Sequence, residues 1–275
     1  MANELGKLGI WRAVWELNPE LAVEVEKLGY GAIWIGGSPD GRLDLVDNVL
    51  DATERVVVAT GIVNMWKDGA ATVGASYHRI VAKHPGRFLL GVGIGHPEAT
   101  QEYKKPYEKI VEYLDQLDEA GVPVRDRALA ALGPKVLKLA AERTAGAHPY
   151  LTTPEHTREA RQVLGDGVLL APEHKVVLDT DTERARAIGR AAVENPYLHL
   201  TNYTSNFRRL GFTEDDIANG GSDRLIDSVV AWGTAESIAA RLTEHLDAGA
   251  DHVCVQALGD DPLPAYRAIA EVLLS

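Results

Sequence analysis

The feature that most constrains the fold is an alternation of short apolar runs with longer amphipathic runs along all 275 residues. Short apolar runs bounded by turn residues are typical of buried strands, and the longer runs have helical periodicity. The predicted strands are residues 8–11, 31–35, 56–63, 87–92, 127–132, 147–151, 168–171, 175–179 and 251–256. The predicted helices are one opening at 18–19, then 43–53, 72–84, 101–120, 133–144, one opening at 153, 182–193, two or three within 196–230, 235–248 and 264–274.

This alternation predicts an α/β protein, a single (β/α)8 TIM barrel with short insertions over residues 1–275, since such barrels have ~250 residues. An open, doubly wound sheet is the alternative. No G-x-G-x-x-G motif follows the first predicted strand, and this disfavours the open sheet.

Composition limits the classes of binding partner and the cellular compartment that we expect. The net charge is −12, without a basic cluster, which argues against a nucleic acid or an anionic membrane as partner. We see neither a signal peptide nor an apolar run of about 18 residues, so we expect no membrane span. The only cysteine, Cys254, lies in an apolar run and is predicted to be a buried strand residue, which fits a reducing cytoplasm.

One predicted strand ends in alternating glycines. Gly91 lies near the end of the predicted strand 87–92, and Gly93, Gly95 and His96 follow at the strand exit. Glycines without a Cβ would let a flat ligand lie against the backbone there. Parallel α/β folds place their chemistry at this end of the strands.

Other candidate groups fall on the same predicted rim. The sequence Gly133-Pro134-Lys135 begins a helix directly after a strand, which suits either a phosphate or a plain turn with a solvated lysine. His96 is either an acid/base group or a structural loop histidine, and His148 with Tyr150 offers a second acid/base or stacking group. Residues 202–207 either cover the rim or form a packed helix.

The remaining histidines give no functional signal. His78, His84, His156, His174 and His199 are predicted to lie on helical or loop surfaces. No two histidines and a carboxylate share the spacing of metal ligands, so we expect no metal site.

Several motifs in order resemble the bacterial luciferase-like superfamily, in its branch that uses the deazaflavin coenzyme F420. They are LGYGAIWI (28–35), ATGIVNMW (59–66), PGRFLLGVGIGH (85–96), AALGPK (130–135), GAHPYL (146–151) and AGADHV (248–253). The resemblance implies a (β/α)8 barrel, a homodimer, and a tricyclic ring at the C-terminal mouth. It also implies a non-proline cis peptide near Asn64 and Met65 at the third strand exit.

The resemblance further implies which residues contact the coenzyme. Ile94, Gly95 and His96 match the ring contacts, and residues 131–134 match the site of the ribityl and phosphate portion. The full expected set is Gly36, Ser38, Asn64, Met65, Gly93, Ile94, Gly95, His96, Ala131, Leu132, Gly133, Pro134 and Lys135. Sugar-phosphate-oxidising relatives carry Asp-His after the second strand, where this chain has Gly36-Gly37-Ser38, so that activity is not expected.

The function implied is an F420-dependent oxidoreductase that transfers a hydride between the deazaflavin and a small organic substrate. His96 is the expected proton donor, with His148 and Tyr150 on the substrate side. An FMN-dependent monooxygenase on the same barrel is one alternative, because residues 133–135 suit either phosphate. A non-redox barrel that only binds a coenzyme or ligand is the other.

Overall fold

Parallel strands alternate with helices in the computed structural model, which describes residues 5–95 and 105–275. The strands are β1 (Leu8–Ala13), β2 (Ala32–Gly36), β3 (Val57–Thr60), β4 (Val63–Asn64), β5 (Phe88–Gly93), β6 (Arg127–Leu129), β7 (Gly146–Ala147), β8 (Leu169–Leu170), β9 (Glu173–Val177), β10 (Val230–Trp232) and β11 (Val253–Ala257). The helices are α1 (Pro19–Lys27), α2 (Asp44–Ala52), α3 (Ala70–Lys83), α4 (Pro106–Glu119), α5 (Pro134–Arg143), α6 (Pro154–Leu164), α7 (Thr182–Glu194), α8 (Thr201–Arg209), α9 (Glu214–Ile217), α10 (Asp223–Val229), α11 (Ala235–Asp247) and α12 (Leu263–Leu273). Short 3-10 turns lie at Val124–Asp126 and Tyr197–His199.

The sheet closes into a barrel through one broken strand. β8 pairs with β7, whereas β9 pairs with β11, and only Ala171 and Pro172 separate β8 from β9. Since the order runs β11-β1-β2-β3-β5-β6-β7-β8, this one segment joins the two ends of the sheet. The described strands thus form the predicted (β/α)8 barrel, and the predicted strands 168–171 and 175–179 are two parts of one barrel strand.

The strand β10 was not predicted, because residues 196–230 were expected to be helical. Val230–Trp232 instead pairs in parallel with Lys175–Val177 of β9, on the side away from β11. β9 leaves this edge free because β7 is only two residues long and pairs with β8. The pairing therefore depends on a partner more than 50 positions away in the chain, which local sequence does not reveal.

Inward and outward side chains alternate along the barrel strands. Ala32 and Trp34 pack inside with other small residues, while Ile33 and Ile35 pack outward against the helices. Because most inward residues are small, the Trp34 indole fills the barrel centre. Its Nε1 donates to His252 Nε2 at 3.2 Å.

Two helix starts follow the local sequence closely. Asn18 accepts a hydrogen bond from Leu21 N at 2.8 Å, and Pro19 is the first residue of α1. Thr153 caps α6 by accepting from His156 N at 3.2 Å. Both helix starts were predicted, since the chemistry of a helix start involves only residues close in sequence.

Two histidines predicted on the surface are buried. His174 points outward from β9, and its Nδ1 lies 3.0 Å from His245 Nε2 of α11. His156 of α6 is also buried, and its Nε2 donates to Leu132 O at 2.9 Å. The surface prediction was wrong because the burial of these histidines depends on which helices pack on which strands. Cys254 is buried, as predicted.

No helix in the described ranges is long and apolar enough to cross a membrane. In the same ranges, no three His, Cys, Asp or Glu side chains are grouped as metal ligands.

Candidate active site

A cavity of about 680 Å³ opens at the C-terminal ends of the barrel strands. It lies at the rim where the sequence places its candidate residues. The predicted site residues that line it are Ser38, Asn64, Ile94, Gly95, Ala131, Leu132, Gly133, Lys135, His148 and Tyr150. Asn202 and Tyr203 of α8 line it too, so part of the 202–207 segment borders the rim.

Other predicted residues lie away from the cavity. A Cβ on Gly36 would be 1.7 Å from Trp11 Cζ2, so the Trp11 indole covers that position. Met65 packs in the layer between strands and helices, and Pro134 is the first residue of α5. His96, the expected proton donor, lies outside the described residues.

The alternating glycines have a different role from the one expected. A Cβ on Gly91 would lie 1.8 Å from Thr60 O, and one on Gly93 would lie 2.8 Å from Ile62 Cγ1. The space beside these two positions is therefore filled by the end of β3 and the residues just after it, and it is not open to a ligand. Gly95 does line the cavity, and its φ of +66° is one that glycine adopts without strain.

The cis peptide implied by the resemblance is present at another position. It joins Gly61 to Ile62, between β3 and β4, rather than lying near Asn64 and Met65. Gly61 and Ile62 both line the cavity. The strand exit was predicted correctly and the bond was placed too far along the chain.

Buried polar groups form the floor of the cavity. His148 donates from Nδ1 to Ala171 O at 2.7 Å, which leaves Nε2 as the nitrogen with a free lone pair. Burial lowers the pKa of His148 to about 4, against the opposing effect of the Ala171 hydrogen bond, so its ring is neutral at pH 7. The nearby Trp11 Nε1 is a buried donor. Within the described residues, neither Trp11 Nε1 nor His148 Nε2 has a hydrogen-bond partner.

These two nitrogens approach the same point above Gly61. A Cβ built on Gly61 would lie 2.9 Å from Trp11 Nε1 and 3.0 Å from His148 Nε2. An unpaired buried donor or acceptor costs about 1–3 kcal/mol. A donor and an acceptor at one cavity floor therefore suit a ligand whose edge carries complementary polar atoms.

The start of α5 forms a cationic part of the cavity rim. Gly133 is the N-cap of α5, and no side chain caps this helix. The positive end of the helix therefore lies in the cavity wall, which Gly133 and Lys135 line. Lys135 Nζ lies 3.7 Å above the Tyr107 ring. Arg209 of α8 donates from Nη2 to Leu132 O at 3.0 Å, which brings a second cation to this turn.

A chain of hydrogen bonds on another part of the cavity wall was missed by the sequence analysis, apart from Tyr150. Tyr197 donates to Tyr150 Oη at 3.1 Å, and Tyr150 donates to Gln256 Oε1 at 2.9 Å. The same Gln256 oxygen accepts from Lys175 Nζ at 3.2 Å, and Lys175 also donates to Glu173 Oε1 at 3.2 Å. A charged pair two positions apart in an apolar strand was the signal that could have found it.

Glu173 and Lys175 are fully buried inside the barrel mouth. Burial raises the pKa of Glu173 and lowers that of Lys175, while their mutual attraction opposes both shifts. Glu173 also accepts from Leu151 N at 2.9 Å, so the pair has partners on two neighbouring barrel segments. Burial also raises the pKa of Tyr150 well above its usual range, so this phenol stays protonated.

Solved structures share this architecture along almost the whole chain. An F420-dependent secondary alcohol dehydrogenase in complex with an F420–acetone adduct matches with a TM-score of 0.76 and 16% identity over 98% of both chains. The coenzyme F420-dependent tetrahydromethanopterin reductase of Methanopyrus kandleri matches with a TM-score of 0.71 and 14% identity over 98% of both chains. The oxygenating constituent of 3,6-diketocamphane monooxygenase from Pseudomonas putida, in complex with FMN, has a TM-score of 0.70 and 14% identity over 98% of this chain and 97% of its own.

These neighbours are (β/α)8 barrels of the luciferase-like superfamily. The fold implied by the sequence resemblance is therefore confirmed. No protein-family model matches the chain, and comparison with curated proteins finds no match. At these identities the likeness establishes the fold, and the chemistry has to be argued from the cavity.

Proposed function

We propose that this protein is an F420-dependent oxidoreductase that transfers a hydride between the deazaflavin and a small organic substrate. The observation that carries the proposal is that one cavity combines an unpaired donor and acceptor, Trp11 Nε1 and His148 Nε2, with the cationic start of α5. A flat ring with a polar edge and an anionic tail needs both features.

The dimensions and donor set of the cavity fit such a coenzyme. Its volume of about 680 Å³ lies within the ~300–1,000 Å³ of ordinary cofactor sites. Trp11 and His148 would hold the polar edge of the ring, and Gly133 with Lys135 would hold the phosphate portion. The solved structures that share the fold include proteins with F420 and with FMN, which supports a coenzyme of this type.

The chain itself would bind, orient and exclude water. The coenzyme, when bound, supplies the hydride chemistry. His148 is neutral and its Nδ1 proton is held by Ala171 O, so at pH 7 it acts as a hydrogen-bond acceptor through Nε2. Trp11 acts as a donor, and the Tyr150 ring, tilted 48° to Trp11 with centroids 5.1 Å apart, closes that side against water.

A titration of the purified protein with F420 and with FMN tests the proposal. Micromolar binding of F420 and weaker binding of FMN is the expected result, followed by a change in coenzyme absorbance when a substrate turns over. Binding of FMN without F420 would replace the proposal with an FMN-dependent monooxygenase. Bound coenzyme that no hydride donor or acceptor turns over would support a non-redox binding protein.

The proposal includes a cytoplasmic homodimer. The lone buried cysteine supports a reducing compartment, and the family resemblance supports the dimer. Sedimentation of the purified protein at micromolar concentration tests the oligomeric state, and a monomer would remove that part of the proposal.

A further inference from the structure

Gln256 has one polar group left over in the chain of hydrogen bonds on the cavity wall. Its Oε1 accepts from both Lys175 and Tyr150. An ammonium group only donates, so the amide oxygen must face Lys175 and the NH2 group takes the other direction. Within residues 5–95 and 105–275 no acceptor binds that NH2 group, and Gln256 lines the cavity.

The neighbouring phenols cannot supply a free donor in this arrangement. Tyr197 donates its proton to Tyr150 Oη, and Tyr150 donates its own to Gln256. Each phenol has a single O–H, so both protons are used within the wall. The amide NH2 of Gln256, by contrast, keeps its protons free for a ligand in the cavity.

The wall is electrically neutral despite its buried charges. Lys175 is paired with Glu173, and the Tyr150 ring covers Lys175 Nζ at 3.9 Å. Replacing a buried ion pair by apolar residues is often neutral or stabilising, so stability gives no reason to keep this pair. The pair does have a role in orienting the Gln256 amide, because Lys175 donates to its Oε1.

The space beside Gln256 is lined by aromatic rings. The Tyr150 and Tyr197 rings lie 5.4 Å apart, and the Tyr197 and Tyr203 rings 4.9 Å apart, between centroids. Aromatic walls favour an apolar body, and an anion gains nothing from a cation that is already paired and covered.

We infer that the Gln256 amide binds the oxygen of an uncharged substrate with an apolar body, and that Lys175 is the residue that positions this amide. The inference rests on the proposed function in taking this cavity as the reaction site. It adds a substrate class, since ketone, aldehyde or hydroxyl oxygens accept from an N–H donor whereas carboxylates and phosphates call for an unpaired cation.

The test observes Gln256 directly by NMR, without coenzyme. The chain has four glutamines, at 101, 116, 162 and 256, so selective ¹⁵N labelling of side-chain amides gives a short spectrum that the variant Gln256→Leu assigns. Three probes of similar shape are titrated: acetophenone, α-methylstyrene, which lacks the oxygen, and benzoate, which is charged. Acetophenone should shift the Gln256 NH2 signals saturably and bind at least tenfold more tightly than α-methylstyrene, while benzoate should leave those signals in place.

Two variants separate binding from positioning. Gln256→Leu should bring the acetophenone and α-methylstyrene affinities within about twofold of each other. The double variant Glu173→Gln/Lys175→Met removes both buried charges together, so it avoids leaving either unpaired. It should fold, by circular dichroism, yet show displaced Gln256 NH2 signals and at least a fivefold weaker preference for the ketone.

Several outcomes would overturn the inference. These are an equal response of the Gln256 signals to benzoate, no acetophenone binding at millimolar concentration, or ketone binding without a Gln256 response. A double variant that keeps both the Gln256 signals and the ketone preference would remove the role of Lys175. A positive F420 titration with no Gln256 response defeats this inference alone, whereas a Gln256 response without coenzyme binding defeats only the proposed function.

Discussion

The imidazole of His148 stacks on the indole of Trp34, with ring centroids 4.2 Å apart and planes inclined by 17°. Trp34 in turn donates to His252, whose Nδ1 donates to Gly6 O at 2.8 Å. The orientation of His148 is therefore set from below by the barrel core and from the side by Ala171 O. Its unpaired Nε2 is held in place before a ligand binds, which lowers the entropic cost of binding.

Removing the His148 acceptor should weaken coenzyme binding. His148→Phe keeps a ring against Trp34 but has no Nε2, so we expect a loss of about 1 kcal/mol, or fivefold, in coenzyme affinity. His148→Ala should also lower the free energy of unfolding by about 2–4 kcal/mol, because it leaves a cavity beside Trp34. Calorimetric titration and urea unfolding measure the two effects, and unchanged affinity in His148→Phe would remove this residue from the coenzyme site.

Filling the point above Gly61 should block the cavity floor. A methyl group there would lie within 3.0 Å of both Trp11 Nε1 and His148 Nε2, so Gly61→Ala should reduce coenzyme affinity at least tenfold. Gly69→Ala is the matched control, since a Cβ there meets no described atom within 4 Å and its φ is −67°. Equal coenzyme affinity in both variants, measured by fluorescence titration, would argue against a ligand at this floor.

Lys135 should contribute to the binding of an anionic portion. We expect Lys135→Ala to weaken coenzyme affinity by roughly 1–2 kcal/mol, more at low than at high salt, if the lysine meets a phosphate. Lys138→Ala lies on the same helix, where its side chain is 74% exposed, and should leave the affinity unchanged. Titrations of both variants at two salt concentrations decide the point, and identical affinities would leave Lys135 as a rim lysine.

Mild acid should destabilise the fold through buried histidines. Burial lowers the pKa of His148, His156 and His252 to about 4 and that of His245 to about 3. The unfolded chain, with a histidine pKa near 6.5, then binds more protons than the folded chain between about pH 6.5 and 4. The stabilisation is complete above pH 6.5 and is lost as the pH falls toward 4, with a limit of about 1.4 kcal/mol per pH unit for each group.

Urea unfolding at pH 7, 6 and 5 measures how the free energy of unfolding changes with pH. At these pH values the titration of carboxylates does not yet dominate that change. His252→Gln should reduce the slope, whereas replacement of the exposed His199 by alanine should leave it as it is. A free energy of unfolding that stays constant from pH 7 to 5 would contradict the prediction.

The residues of the site show how far local sequence reaches. The start of α5 at Gly133 and Lys135 was predicted, because a helix start after a strand is written in adjacent residues. Gly93 and Met65 were assigned to the site from the same strand ends, yet they lie against Ile62 and in the outer core. Adjacent positions on a strand face opposite sides of the sheet. A small error in where the strand ends therefore assigns to the cavity a residue that lies in the core.

The sequence by itself determined the alternation of strands and helices and the end of the strands that carries the cavity. Alternating strand and helix patterns are local, and right-handed crossovers then place all the strand ends together. Only the tertiary structure decided that Gln256 lies beside Lys175, 81 positions away, and that Trp11 and His148 approach Gly61. These contacts depend on strand register, on closure of the barrel through β8 and β9, and on burial, none of which is encoded within a short stretch of chain.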